Sequence, residues 1–539
     1  MNKSSVKKLR RGLSAVVVFI YSVILLLILS VILFTDKHID YICKKEVPFT
    51  NLSILLYILF LFLILYFICT RTRFIKYISY LYKMLAVQRD FYTILFLLSA
   101  LLMIIQIYVA YDILFFAGWD CDMVVTMAFE RAFTGTIENT DYLSIYPNNI
   151  ALTCALSVII KLFSFMKDYT AIYFALTCVE ILLTDIALIL LTLTVKRITL
   201  RKSIGLAAWI VGVFLVGMSP WMIVPYSDGY CLIIPISVLY LYCKRKEFKK
   251  YPVICWLGIT FLSLIGFIFK PYTVIVFISI LLVETFTILF EHPTRRVVLQ
   301  SLLGAMVGFL MAYGVNQFMN SYINCDLDEN KAVSFTHYMM MGLNDEWDGI
   351  WNNEDFTYSQ SFSTPEERTV ANELAIRARF EEFGVQGYLD FLKRKTLVNF
   401  NDGTFAWGFE GGEGGFFMIK LKEPTDTANF LRSFFYNDEA GINNKYLVLL
   451  QQTVWIYVLT TMLGMCLALY KRRRSKDLVI MLSVLGMIAF VTLFEARARY
   501  LYDFVLVFVV ASACGMDHIV QTINRLRKKR SFKTASKAT

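Results

Sequence analysis

Apolar runs of about twenty residues recur along most of this chain, divided by short polar stretches. They fall at about 14–34, 51–70, 92–114, 169–195, 203–222, 230–243, 252–269, 271–290, 298–318, 446–470, 477–494 and 500–515. Most are apolar on every face, with no alternation of period two. That is the pattern of helices surrounded by lipid or by other helices. At 1.5 Å per residue, most of the runs are long enough to cross a hydrocarbon core of about 30 Å. A further apolar run at about 150–166 is a special case. If both it and 169–195 crossed, the basic stretch Lys196–Arg197–Ile198–Thr199–Leu200–Arg201–Lys202 would face outward, against the usual charge bias. The run is therefore expected to be short or re-entrant, buried by protein rather than lipid. The expected fold is an all-α polytopic membrane protein with about 12 transmembrane helices plus this one irregular element, and a mixed extracytoplasmic loop domain.

Charge orients the pattern. The chain carries 53 Lys and Arg against 42 Asp and Glu, a net charge of +11. The basic clusters sit beside apolar runs: Lys7–Arg11, Arg71–Lys76, Lys244–Lys246, Arg295–Arg296, Lys471–Arg474 and the tail 525–537. This is the signature of cytoplasmic loops, not of a nucleic-acid surface. Both termini are expected in the cytoplasm, in a multi-pass protein of the cell membrane. The basic N-terminus before Val16–Phe34 has the layout of a signal sequence, but lacks a small-residue cleavage site and reads as a retained first helix. Four regions follow: an N-terminal transmembrane pair at 1–90, a transmembrane module at 91–318 with its first outer loop at 115–149, an extracytoplasmic domain at 319–445, and C-terminal transmembrane helices with a basic tail at 446–539. With 58% hydrophobic residues, a soluble globule is excluded. None of the 11 cysteines forms a C-x-x-C pair, and most lie in apolar runs. Cys43, Cys121 and Cys325 fall in expected outer loops and leave room for one disulfide.

Within the outer domain, Thr364–Pro365–Glu366–Glu367 is a helix start, with proline in the first turn and acids toward the positive end of the dipole. Helices are expected at about 365–383 and 386–398. The segment Glu410–Gly411–Gly412–Glu413–Gly414–Gly415 reads as a mobile loop, since it lacks the strand–loop–helix setting of a phosphate loop.

The unusual polar residues all map to the outer ends of the helices: Asp120, Asp122, Asn148, Asp228, Lys270, His337, Glu495, Arg497 and Arg499. Ionisable groups beside hydrocarbon are costly and usually have partners or a task. Their sharing of one side suggests a single polar cavity. Asp120 and Asp122 flank a cysteine just after an apolar run, where a carboxylate can serve as general base; capping or solvation is the plainer reading. Arg497, Arg499 and Lys270 suit a phosphate, interfacial anchoring and snorkelling being the alternatives. His337 is a candidate contact for substrate or metal, or a packed loop histidine. Trp347, Trp351, Phe405 and Trp407 are candidate sugar-stacking surfaces, packing within the domain being the plainer reading, and Asp348 and Asp355 are candidate partners for sugar hydroxyls with the same alternative.

The order Gly118–Trp119–Asp120 after an early helix, then Tyr146–Pro147–Asn148–Asn149, Tyr226–Ser227–Asp228, Lys270–Pro271 and finally Glu495–Ala496–Arg497–Ala498–Arg499–Tyr500 resembles the GT-C superfamily of integral membrane glycosyltransferases. That group includes protein O-mannosyltransferases, aminoarabinose transferases and other family-39 enzymes. The stretch His337–Tyr338–Met339–Met340–Met341–Gly342–Leu343–Asn344 is similar to one that recurs in Gram-positive envelope members. The resemblance spans roughly 90–515 and rests on order and sidedness, since each motif is short. It implies inverting transfer of a sugar from a polyprenyl-phosphate donor to an extracytoplasmic glycan, lipid or protein acceptor. Asp120 would be the base, with Asp122 in reserve. Arg497, Arg499 and Lys270 would bind the donor phosphate, and Tyr146, Asn148, Asn149, Tyr226, Asp228, His337 and Glu495 would contact substrate. No cofactor is firmly implied. A divalent metal stays open, although relatives often carry a histidine where this chain has Tyr146–Asn149. Helices before residue 90 also depart from the common arrangement. The competing reading is a transporter or flippase of lipid-linked sugars, which predicts charges near the bilayer midplane and paired repeats.

Overall fold

A computed structural model of the chain describes residues 3–35, 49–71, 88–248, 250–291, 293–411, 417–420, 425–437, 441–470 and 475–538. Among them, ten helices are long and apolar enough to cross a membrane, and Asn51–Ile64 and Lys202–Gly217 are shorter apolar helices. Each run expected to cross finds a helix. The run at 230–243 is shortest: Ser227–Cys231 and Ile233–Lys244 follow one another through Leu232, which keeps helical backbone angles. The first helix, Lys3–Leu33, lies along the C-terminal helices, where the Tyr21 hydroxyl donates to Met462 O and Ser22 to Cys466 Sγ.

The helices share two ends of different character. At one end Lys196 donates to the Tyr92 hydroxyl, Arg197 pairs with Glu247, Arg201 with Asp517 at 3.2 Å and Arg245 with Glu284 at 3.1 Å. The opposite ends of the same helices carry Tyr173, Asp228, Tyr272 and Arg499, and converge on a cavity.

The segment 113–168 begins and ends at that cavity end. Helix Gln88–Asp112 delivers Ile113 there, and helix Tyr169–Thr199 leaves from there, with Tyr169 stacked on Phe129 at 4.2 Å and the Tyr173 hydroxyl facing Ala117 N. Pro147–Met166 meets the length and composition of a span. Yet its start lines the cavity, Ser157 reaches the Tyr322 hydroxyl at the end of helix Arg295–Ile323, and the chain returns to Tyr169 at the same end. It lies across the end of the bundle, as a short helix Ile150–Phe163 flanked by two 3-10 turns. Its apolar face is met by helices Trp119–Thr134 and Arg295–Ile323, not by a membrane alone.

The described residues of 324–437 pack on the cavity end. Thr364 and Glu367 form a capping box at the start of Pro365–Phe400, and Gly384 (φ +54°) breaks this helix where two helices were expected to meet. Only glycine adopts that backbone without strain. The buried Arg368 is satisfied by the carbonyls of Asn330, Ala332, Ser359 and Phe362. Docking onto the bundle is tight. Lys395 Nζ donates to Gly342 O and to Phe494 O (2.7 Å), and Ala496 N donates to Gly349 O. A Cβ at Gly342 would sit 2.5 Å from the Phe494 backbone. Among the described residues, the only sheet is the antiparallel pair Phe115–Ala117 with Phe417–Lys420. Cys121 is buried and, like Cys325, unbridged, so neither contributes to a disulfide; Cys43 lies outside the described residues, as do Gly412–Gly415.

Candidate functional site

The strand Phe115–Ala117 ends at Gly118, which precedes helix Trp119–Thr134. Trp119 has φ +47°, a left-handed conformation that costs a non-glycine residue about 1 kcal/mol or more. Its indole is held from two sides: the Arg499 guanidinium lies 4.3 Å from the ring centre and Tyr226 meets it edge-on at 5.4 Å. Asp120 and Asp122 both sit in the first turn, favoured by the helix dipole. Two residues along a helix rotate a side chain by roughly 200°, and this separates them. Asp120 enters the cavity, whereas Asp122 accepts from Thr126 Oγ1 at 3.0 Å and does not line it. The reserve role given to Asp122 is therefore withdrawn on geometry.

The cavity has a volume of about 710 Å³. Of the residues singled out in the sequence, Asp120, Tyr146, Asn148, Asn149, Tyr226, Lys270, Glu495, Arg497 and Arg499 line it. Asn149 donates to the Tyr142 hydroxyl at 2.7 Å, and that hydroxyl is in hydrogen-bond reach of the Asp120 carboxylate. Burial raises the Asp120 carboxyl above its ordinary range, against the opposing pull of Arg499. Burial likewise raises Glu495, which meets the Tyr500 hydroxyl and the field of Arg497. Asp228 is absent from the lining but lies beneath it. It ion-pairs with Lys270 and stands 3.8 Å from Arg499 Nε, while Asp503 is 3.8 Å from Lys270 on the other side.

His337 does not reach the cavity. Its ring is 1% exposed, edge-on to Tyr338 and Phe356, and burial lowers its pKa to about 4, so it is a neutral packing residue. The expected contact with substrate or metal is corrected accordingly; its neighbour Tyr338 lines the cavity instead. Phe405 and Trp407 are also unavailable as stacking surfaces: both are packed in the interior, with the Trp221 indole donating to Phe405 O. Trp351 lines the cavity, whereas Trp347 does not. Asp348 pairs with Arg394, and Asp355 with Arg379 and two asparagines.

The most consequential residue not singled out is Glu410. Read in sequence as the edge of a mobile loop, it ends a short helix, Trp407–Glu410, and is 2% exposed. One of its oxygens bonds Arg497, and the other is 3.3 Å from Arg499. Asp503, inside the last apolar run, was also passed over, and an acid within such a run is itself a signal. Among the described residues, no group of three or more His, Cys, Asp or Glu is arranged to hold a metal ion.

The arrangement is an aromatic-walled pocket at one end of a helical bundle. Three carboxylates, Asp120, Glu410 and Glu495, and three cations, Lys270, Arg497 and Arg499, line it together. The fold is that of an all-α polytopic integral membrane protein. The chain belongs to a family described as conserved hypothetical integral membrane proteins, whose model matches residues 12–520. No curated protein matches it.

Proposed function

We propose that this protein is an inverting membrane glycosyltransferase of the GT-C type, moving a sugar from a polyprenyl-phosphate donor to an extracytoplasmic acceptor. The observation that carries the reading is the meeting of Asp120 with Lys270, Arg497 and Arg499 in one cavity, although the first and last of these are nearly 380 residues apart in sequence. The cations lie where a lipid-linked phosphate would enter beside the apolar rings Phe269, Tyr272, Phe490 and Phe494. The basic ends of the helices favour an orientation with the cavity outside and both termini in the cytoplasm of a cell.

The chemistry follows from the charges. An acceptor hydroxyl gives its proton to Asp120 as its oxygen attacks the anomeric carbon. The bond from that carbon to the phosphate oxygen breaks on the opposite face, and polyprenyl phosphate leaves. Guanidinium and ammonium groups stabilise the charge that develops on the departing oxygen. A carboxyl lifted by burial is better matched to accepting a proton near neutral pH than an ordinary aspartate. The acceptor would be a cell-envelope polymer, glycolipid or protein.

Mass spectrometry of envelope glycans from a deletion strain, complemented with wild type or Asp120→Asn, tests the reading. A sugar decoration lost on deletion and restored only by wild type is expected. Full restoration by an Asp120→Asn protein present at normal abundance would remove the mechanism. Arg497→Ala should raise the apparent KM for donor more than for acceptor, and equal changes would argue against a phosphate role.

A further inference from the structure

The two guanidiniums assigned above to the donor phosphate already share an anion. Arg497 presents its Nε and an NH2 to one oxygen of Glu410, and Arg499 reaches the other oxygen at 3.3 Å. Glu410 is 2% exposed but borders the cavity, so a ligand anion and this carboxylate compete for the same donors. Two anionic oxygens on one centre, able to bridge a pair of guanidiniums, are what a phosphodiester also offers. The surroundings cannot take a second anion without adjustment. Lys270, Arg497 and Arg499 already face Asp120, Glu410 and Glu495 along the wall, with Asp228 and Asp503 directly beneath.

We infer that Glu410 is an exchangeable counter-ion: it holds Arg497 and Arg499 in register, and a phosphodiester anion displaces it from them while its carboxylate takes a proton from solvent. The inference rests on the donor-phosphate reading above and adds to it a residue and a proton. Burial already raises the Glu410 carboxyl, opposed mainly by Arg497 and Arg499. Once those guanidiniums turn to another anion, the opposition weakens and the proton is held more firmly. The charged groups facing Glu410 are Arg497 and Arg499 from the segment after helix Ser475–Leu493, and Asp228 from helix Ser227–Cys231. Asp120 and Glu495 border the same cavity from other elements. Ligand binding should therefore be tighter in acid.

The test is calorimetry on the full chain in detergent, with a short-chain isoprenyl phosphosugar diester as probe. The probe's own charge does not change near neutrality. Its phosphate-free isoprenyl glycoside is the control. Titrations at pH 7.5 in buffers of different ionisation enthalpy should show about one proton taken up per probe bound. Glu410→Gln should bind the probe about tenfold more tightly than wild type at that pH, with the proton uptake lost. That direction separates exchange from simple positioning, because a residue needed only to orient the arginines would weaken binding when neutralised. Weaker or unchanged affinity in Glu410→Gln, or no proton uptake by wild type, overturns the inference and leaves the transferase reading standing. No binding of the probe by either protein overturns both. The wild-type proton count needs no variant to fold. Phosphatidylglycerol in place of the probe distinguishes the two sources of phosphodiester: weaker binding favours the sugar carrier, and equal binding assigns the exchange to membrane lipid.

Discussion

The two ends of the bundle use the same residue types to opposite effect. At the far end, Arg197 pairs with Glu247, and the two side chains are 28% and 52% exposed. At the cavity end, Arg499 is 10% exposed and is enclosed by Trp119, Trp221, Glu410 and Asp228. An exposed pair is screened by water and contributes about 0–1 kcal/mol. A buried one survives only with near-complete partnering, because the loss of one member leaves a desolvated charge. The lesson is that scattered charge orients this chain, while the convergence of several enclosed charges of both signs marks its site.

That contrast can be broken most sharply at Asp120. Asp120→Asn should lower transfer by about 10²–10⁴-fold, the usual contribution of a general base, whereas Asp122→Asn two residues away should keep near wild-type turnover. Comparable losses in both variants would erase the distinction drawn from the helix. Next in size, Arg499→Ala should cost about 10²-fold or more in transfer by removing charge stabilisation. Glu247→Gln at the far end, where the side chain is 52% exposed, should alter neither turnover nor the melting temperature by more than a small amount. Gly342→Ala should come third. The added methyl would strike the Phe494 backbone, so a melting transition in detergent should fall by several degrees, with loss of activity following the lost docking. The fourth prediction is a pH profile. On the proposed mechanism Asp120 acts ionised, and its carboxyl is raised by burial, so kcat/KM should climb with pH through a point above the ordinary aspartate range. A flat profile down to that range would mean the base is elsewhere. The smallest effect belongs to His337. Its folded pKa of about 4 lies below the ordinary 6.5, so the unfolded chain binds the extra proton first. The stability this residue contributes should fall as pH drops from about 6.5 to 4 and then level off. Replacement by Gln should flatten that component of the acid melting curve.

How far the sequence carried these conclusions depended on the kind of signal. Apolar runs and basic flanks are local, and they were enough to delimit the helices and to mark 150–166 as irregular. Charge bias rejected a crossing there that length and composition alone would accept. The Gly384 boundary in the outer domain was legible for the same reason. Side-chain direction was less so: Asp120 and Asp122 are equivalent in a linear reading, and only the helix turn separates them. Phe405 and Trp407 were candidates for sugar stacking, with packing inside the domain as the plainer alternative, and packing is what they do. In the fold they pack against Trp221, Trp455 and Tyr502, partners far away in the chain. Glu410 was hidden by its glycine-rich neighbours, which advertise a loop. The burial of its carboxylate follows from Arg497 and Arg499, which no local pattern connects to it. His337, open in the sequence between a ligand contact and a packed histidine, is the packed one, among aromatic neighbours.

The small ribbon formed by Phe115–Ala117 and Phe417–Lys420, seconded by the Tyr436 hydroxyl on Ile113 O from 323 residues away, has a consequence for biogenesis. The peptide that leads directly into Trp119 and Asp120 is anchored by a strand synthesised long after it. The first-made helices can enter the bilayer one by one, yet this anchor cannot form until residues 417–420 have been made and have folded back onto 115–117. A lesion confined to the late strand Phe417–Lys420 would therefore leave every early residue intact while loosening the peptide that carries Trp119 and Asp120.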